Sequence, residues 1–415
     1  MSKRVLCWLL PAWCICFATV LGLPSAFWVA DAGQYRLLAL GQHGAVPAPF
    51  SARILGPGIA GLLGRATGRG VDTGFLLLGI FCLIAFVALM AVLLESWHAP
   101  IIVWAAIFLL PFWVDIFHDY YLPDLLHAAL LAALLLLLLY ERTNLALLLL
   151  FPAYLAREST LLAALCLVFA CWRRIRLQSV LVGMLALISA GLISRHYNQG
   201  AAINVHGIGG GAYIAGKLIW SFFKNVLGLP LWSNTLPECN PIWVKALPSG
   251  FHFGAIQSVG VCHPDPWGPT RLFLAWFGIF GIGPAFALML WRKIIFPAPD
   301  VSLGRDMVFR FCLSYGLISI LMTPLLGASV DRLVEYGWPF YFVLLPWILF
   351  TSDQGSGVRS AGFLLLHLLT AWLAWFSFRR PSSYLPAALC VVILNGAAYA
   401  LARRFSRFGT GNPRK

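Results

Sequence analysis

Three carboxylates stand where chemistry could gather in an otherwise apolar chain: Asp31, Asp119 and Glu158. Each lies just past an apolar run, so three separate segments would deliver an acid to one face of a membrane bundle. A carboxylate at the edge of an apolar medium is poorly solvated. That raises its basicity and suits it to take a proton from a hydroxyl. Each acid also has an ordinary reading. Asp31 could cap the helix that follows it. Asp119 stands among His118, Tyr120 and Tyr121, the composition of an aromatic belt. Glu158 could pair with its neighbour Arg157.

Arginines accompany these acids. Arg36, Arg53, Arg65 and Arg69 fall in the same polar stretch as Asp31, and Arg332 precedes a later apolar run. A guanidinium fork meets phosphate oxygens two at a time, so Arg53, Arg332 and Arg36 are candidates to hold a lipid phosphate. The ordinary alternative is contact with lipid headgroups. The run His206-Gly207-Ile208-Gly209-Gly210-Gly211 lacks a preceding strand and reads as a flexible loop, not a phosphate cradle. His196, His206, His252 and His263 lack zinc-ligand spacing. Trp220, Trp232, Trp243 and Trp267 read as interface anchors before sugar platforms.

The elements that must position these residues follow from composition. Of 415 residues, 60% are hydrophobic and 11% charged, with mean hydropathy +0.84. Soluble domains carry roughly a quarter charged residues, so most of this surface must face lipid. The expected fold is all-α: a polytopic transmembrane helical bundle of about twelve spans, at ~20 residues per crossing. Apolar runs lie near 5–29, 74–96, 99–117, 122–140, 144–157, 159–172, 178–194, 271–292, 307–327, 336–350, 360–377 and 384–402. The first run, after Lys3-Arg4, is long enough to be a retained helix and not a signal peptide.

The net charge of +14 does not indicate nucleic acid. Lys3-Arg4, Arg142, Arg173-Arg174-Arg176, Arg292-Lys293 with Arg305, and Arg403-Arg404-Arg407 fall on one side of a twelve-span bundle. That asymmetry places both termini in the cytoplasm. The long polar segments are then external, 30–73 and 195–270. Gly56-Pro57-Gly58 divides the first into two amphipathic pieces, one around Tyr35–Leu40 and one around Ile59–Leu63, suited to lie on the membrane surface. Tyr213–Leu231 is a similar stretch in the second. Three parts are expected: a seven-span module over 1–200 containing the first external loop, the loop 195–270, and a five-span bundle over 271–415. Of ten cysteines, Cys239 and Cys262 alone fall in an external polar segment, where an oxidising compartment would permit a disulfide between them.

An Asp directly after the first span, a long first external loop with two surface helices, and a second long loop after the seventh span form a recognisable layout. It resembles the GT-C glycosyltransferases, polytopic enzymes that take sugars from polyprenyl-phosphate carriers. The string Asp31-Ala-Gly-Gln-Tyr35, followed by Pro49-Phe50-Ser-Ala-Arg53-Ile-Leu-Gly-Pro57, is similar to the first loop of bacterial members, and Arg157-Glu158-Ser159 to a Lys/Arg-Glu-Ser/Thr string found there. The resemblance covers residues 1–200, and the remainder only as general architecture.

The resemblance implies a transferase in a bacterial plasma membrane, with its active site on the external face. Asp31 would be the general base of an inverting displacement on a polyprenyl-phosphate sugar. Asp119, Glu158 and His118 would orient the acceptor or a sugar hydroxyl, and Arg53 and Arg332 would stabilise the departing lipid phosphate. The acceptor would be a glycan, lipid or protein. Many members carry a second acid beside the first-loop Asp, where this chain has Ala30 and Ala32. No metal ligand is therefore assigned, although a divalent metal is compatible with the family. The alternative class is a flippase of lipid-linked oligosaccharides or another transporter, which would carry ionisable residues deep in its spans. A third is an outer-leaflet ligase or acyltransferase using His118-Asp119.

Overall fold

In a computed structural model of the chain, residues 31–46, 50–96, 109–111, 120–172, 177–197, 210–235, 239–252, 256–283, 302–327, 330–341 and 357–408 are described. The protein is mostly helical, with few strands. Among the described residues, five helices are long and apolar enough to cross a membrane: Val71–Ser96, Leu177–Tyr197, Leu303–Leu325, Ala361–Phe378 and Pro381–Leu401. They coincide with five of the expected spans. The expected run 5–29 lies outside the described residues, as do nearly all of 99–117 and most of 336–350.

The chain forms two compact units. One comprises Met1–His98, Phe112–Gly210 and Asp300–Ser314, the other Ala99–Pro111, Gly211–Pro299 and Tyr315–Lys415. In the first unit, α1 (Ala32–Ala39) and α2 (Leu55–Thr67) precede the long α3 (Val71–Ser96). Pro57 falls in the first turn of α2, where a missing N–H costs nothing. The Gly56-Pro57-Gly58 string therefore starts a helix; it does not merely separate two. Close backbone approach of α2 to both its neighbours depends on glycine. A Cβ at Gly74 on α3 would lie 1.9 Å from the Ala60 carbonyl oxygen, and one at Gly61 would lie 2.5 Å from that of Ala39 on α1.

Next come α4 (Asp124–Leu139), α5 (Thr143–Leu148), α6 (Leu150–Ala156), α7 (Thr160–Ala170) and α8 (Leu177–Tyr197). Pro152 cannot donate to the carbonyl four residues back, which accounts for the break between α5 and α6. The runs expected as spans over 122–140, 144–157 and 159–172 are helical, yet Asp124–Leu139, Thr143–Ala156 and Thr160–Ala170 are all shorter than a full crossing helix.

The second unit holds α9 (Gly210–Leu227), which replaces the amphipathic stretch expected over Tyr213–Leu231. It is followed by a small antiparallel sheet, β1 (Leu231–Ser233), β2 (Pro241–Ala246) and β3 (Ser258–Cys262), in the order β1-β3-β2. The all-α expectation is corrected here. The β-branched and aromatic residues of Ile242-Trp243-Val244 and Val259-Gly260-Val261 pair across strands, with Trp243 opposite Val261. Cys239 and Cys262 are joined by a disulfide, with Cα atoms 6.2 Å apart. The unit continues through α10 (Trp267–Leu274), the C-terminal part of α11 (Leu303–Leu326), α12 (Val330–Val334), α13 (Gly357–Phe378) and α14 (Tyr384–Phe408). Asn225 on α9 donates to the carbonyls of Pro324 and Gly327, at 3.0 and 2.8 Å, which satisfies two groups freed where α11 ends.

Candidate functional site

The polar residues of the first unit converge on the turn between α6 and α7. Arg157, at the end of α6, has extended backbone, with φ −160° and ψ 133°. Its carbonyl accepts from Thr160 N, and that of Glu158 accepts from Leu161 N, so the chain reverses within three residues. Successive side chains on extended backbone point to opposite sides. Arg157 and Glu158 therefore find different partners, and not each other.

Glu158 meets Arg53. Arg53 Nε donates to Oε2 at 2.7 Å and Nη2 donates to Oε1, a two-point fork. The third nitrogen, Nη1, donates to the Tyr35 hydroxyl at 2.8 Å. The Arg53 side chain is 11% exposed and that of Glu158 41%, so the pair has a buried cationic end and an open carboxylate edge. Burial works against both charges. The Arg53 charge and hydrogen bonds outweigh it for Glu158 and hold the carboxyl at about 2. Glu158 and Tyr35 do the same for the guanidinium, whose pKa stays well above its ordinary value. Burial pushes the Tyr35 phenol up, so it remains neutral.

Arg157 forms an ion pair with Asp124, and both are buried. Asp124 opens α4, where the helix dipole favours a negative charge. One turn on, His127 Nε2 lies 3.1 Å from Thr160 Oγ1, tying α4 to the start of α7. A second ionic group is more exposed. Arg36 pairs with Asp72 through Nε at 2.7 Å and Nη2 at 3.0 Å, and the Tyr121 hydroxyl donates to the same carboxylate at 2.7 Å.

Asp31 stands at the start of α1, in helical φ and ψ, and its side chain makes no capping hydrogen bond. Residues four apart share a helix face, so Asp31 lies on the face of Tyr35, which is fully buried against Arg53. The backbone carbonyl of Asp31, and not its carboxylate, accepts from Gln34 N and Tyr35 N.

The site residues read from sequence thus divide. Glu158 and Arg53 meet, with the Tyr35 hydroxyl on the same guanidinium, and Asp31 stands one helical turn before Tyr35. Arg53 and Arg36 were expected to bind a lipid phosphate directly; here each guanidinium is committed to a carboxylate, Glu158 and Asp72. Asp119 and His118 lie outside the described residues. So does the side chain of Arg332, whose backbone belongs to α12. Tyr35, Asp124, His127 and Thr160 were not singled out in advance. The Pro123-Asp124 helix start was the one signal for Asp124, since an acid in a first turn is favoured there. Among the described residues, no three His, Cys, Asp or Glu side chains are grouped as metal ligands. No protein-family model, curated protein or solved structure matches the chain.

Proposed function

We propose that the protein is a membrane glycosyltransferase that moves a sugar from a polyprenyl-phosphate carrier to an acceptor hydroxyl on the external side. The observation that carries this reading is the placement of Asp31 on the helix face of Tyr35, which locks onto the Arg53–Glu158 fork. One carboxylate is left uncapped while the other is fixed.

In this reading Asp31 is the general base. It takes the proton of the attacking hydroxyl as the new glycosidic bond forms and the bond to the carrier phosphate breaks, with inversion at the anomeric carbon. Glu158, ionised and with one edge open, orients a hydroxyl by accepting its hydrogen bond. Arg53 acts through Glu158 and not on the phosphate. Its two bonds to Glu158, braced by a third to Tyr35, hold that carboxylate at one angle, the kind of preorganisation that lets an electrostatic group act without rearranging. The carrier phosphate leaves as a dianion or takes a proton from solvent.

The test is direct. Purified protein in lipid is incubated with a panel of polyprenyl-phosphate sugars, and release of polyprenyl phosphate is followed. Turnover with at least one donor is the expected result. A folded protein that turns over none, yet moves a lipid-linked oligosaccharide between leaflets, is a transporter.

A further inference from the structure

The ionic groups of the first unit fall into two layers at the same end of the bundle. The outer layer is Arg36–Asp72 with Tyr121, and the inner is Arg53–Glu158 with Arg157–Asp124. Their separation can be gauged along the helices, because the opposite ends of α3 and α4 lie within one side chain's reach of each other. Arg305 Nη2 donates to the Ser96 carbonyl at the end of α3, at 2.5 Å, and the adjacent Gly304 packs against the Leu139 carbonyl at the end of α4.

From Ser96 up to Asp72 is roughly 36 Å at the α-helical rise of ~1.5 Å per residue. From Leu139 up to Asp124 is only about 23 Å by the same rise. A third helix gives the inner height independently. On α8, Ser179 donates to Asn144 near the lower end at 2.8 Å, and Ser194 donates to the carbonyl of Ala52, the neighbour of Arg53, at 3.3 Å. Ser179 to Ser194 again spans about 23 Å.

A bilayer's hydrocarbon core is ~30 Å thick. With the charged turn Glu141-Arg142 and Arg305 at one boundary, the other boundary falls between the two layers. We infer that the inner layer is submerged, about one helical turn inside the hydrocarbon, and that a ligand's polar group reaches it on a membrane lipid approaching from the bilayer. Arg36 and Asp72 are 47% and 37% exposed, as at a wet boundary, whereas Arg53, Arg157 and Asp124 are 11%, 8% and 4% exposed; Glu158, at 41%, keeps the open edge that a lipid headgroup would meet. The outward side of α7 just below Glu158 carries exposed apolar residues, Leu161, Leu165 and Phe169, and no charge. A submerged charge is costly unless paired, and Arg53, Glu158, Arg157 and Asp124 are all paired. The inference rests on the proposed reading only for what the ligand does, and not for where the layer lies.

Depth is measured with spin labels on the full chain in nanodiscs of dioleoylphosphatidylcholine and dioleoylphosphatidylglycerol, with labelled wild type subtracted. Leu161→Cys reports the inner layer, Arg69→Cys the outer, and Val168→Cys the hydrocarbon interior. All three positions are exposed, so a label is accommodated. The expected result is that the Leu161 label resembles the Val168 label, open to oxygen and closed to a water-soluble nickel chelate, while the Arg69 label is open to the chelate. A Leu161 label as open to the chelate as the Arg69 label overturns the inference. This readout needs no turnover, so it fails or holds separately from the enzymatic reading.

Discussion

Arg53 and Glu158, 105 positions apart in the chain, meet through two nitrogens and two oxygens, with Nε 2.7 Å from Oε2. That fork joins the first polar loop to the turn between α6 and α7. The neighbour of Glu158, Arg157, turns the other way to Asp124 and joins the same turn to the start of α4. Two adjacent residues of opposite charge thus each secure a different part of the unit.

The Arg157–Asp124 pair should be indispensable to folding while its charges are not. Asp124→Ala leaves Arg157 buried without a counter-charge, a change of about 3–5 kcal/mol in comparable buried pairs. Replacing both, Asp124→Leu with Arg157→Met, should recover most of that loss. Thermal unfolding in detergent checks this. Equal losses in the single and double variants would show that the pair is not what holds the turn.

Acid should loosen the Arg53–Glu158 junction within a defined window. The Glu158 carboxyl titrates at about 2 in the folded protein, below its ordinary value. A lowered carboxyl pKa contributes stability that is complete above about 4.5 and is lost as pH falls toward about 2. The partial exposure of Glu158 reduces the size of the effect and not its direction. Midpoints measured from about pH 6 down to about pH 2.5 should fall more steeply for wild type than for Glu158→Gln. Parallel slopes would remove Glu158 from the acid response.

Glycine at the α2–α3 contact is a steric requirement. Gly74→Val places a side chain where the Ala60 carbonyl oxygen already lies, at 1.9 Å from Cβ. Overpacking of this kind costs about 1–3 kcal/mol, and the shift would be passed to Arg53 just ahead of α2. Gly33→Ala on α1 meets nothing within 4 Å and should be neutral or stabilising. Matching midpoints for the two variants would contradict this contact.

Much of the fold was legible in the sequence, and the reasons are physical. Apolar length announces a membrane helix, and five of the expected spans are present as long apolar helices. Scarcity made the acids conspicuous, which is how Asp31 and Glu158 were reached. Partner choice was not legible. Arg157 sits beside Glu158, and only the extended backbone at 157 sends their side chains apart. Direct phosphate binding was an expectation for Arg53 drawn from its charge, whereas its partners come from residues 35 and 158. Tyr35 resembled an ordinary amphipathic-helix residue until its hydroxyl was found against Arg53. The small sheet was missed because its strands are short and lie in a loop read for helical periodicity.

The central claim is that Asp31 is the base, and one comparison tests it most directly. Wild type, Asp31→Asn and Glu158→Gln are assayed under saturating polyprenyl-phosphate sugar, with unfolding midpoints measured alongside. Asp31 makes no capping bond, so Asp31→Asn should keep the wild-type midpoint while its turnover falls by about a hundredfold or more, the range for loss of a general base. Glu158→Gln should lose both midpoint and turnover. Full turnover in Asp31→Asn, with wild type active on the same donor, would contradict the account.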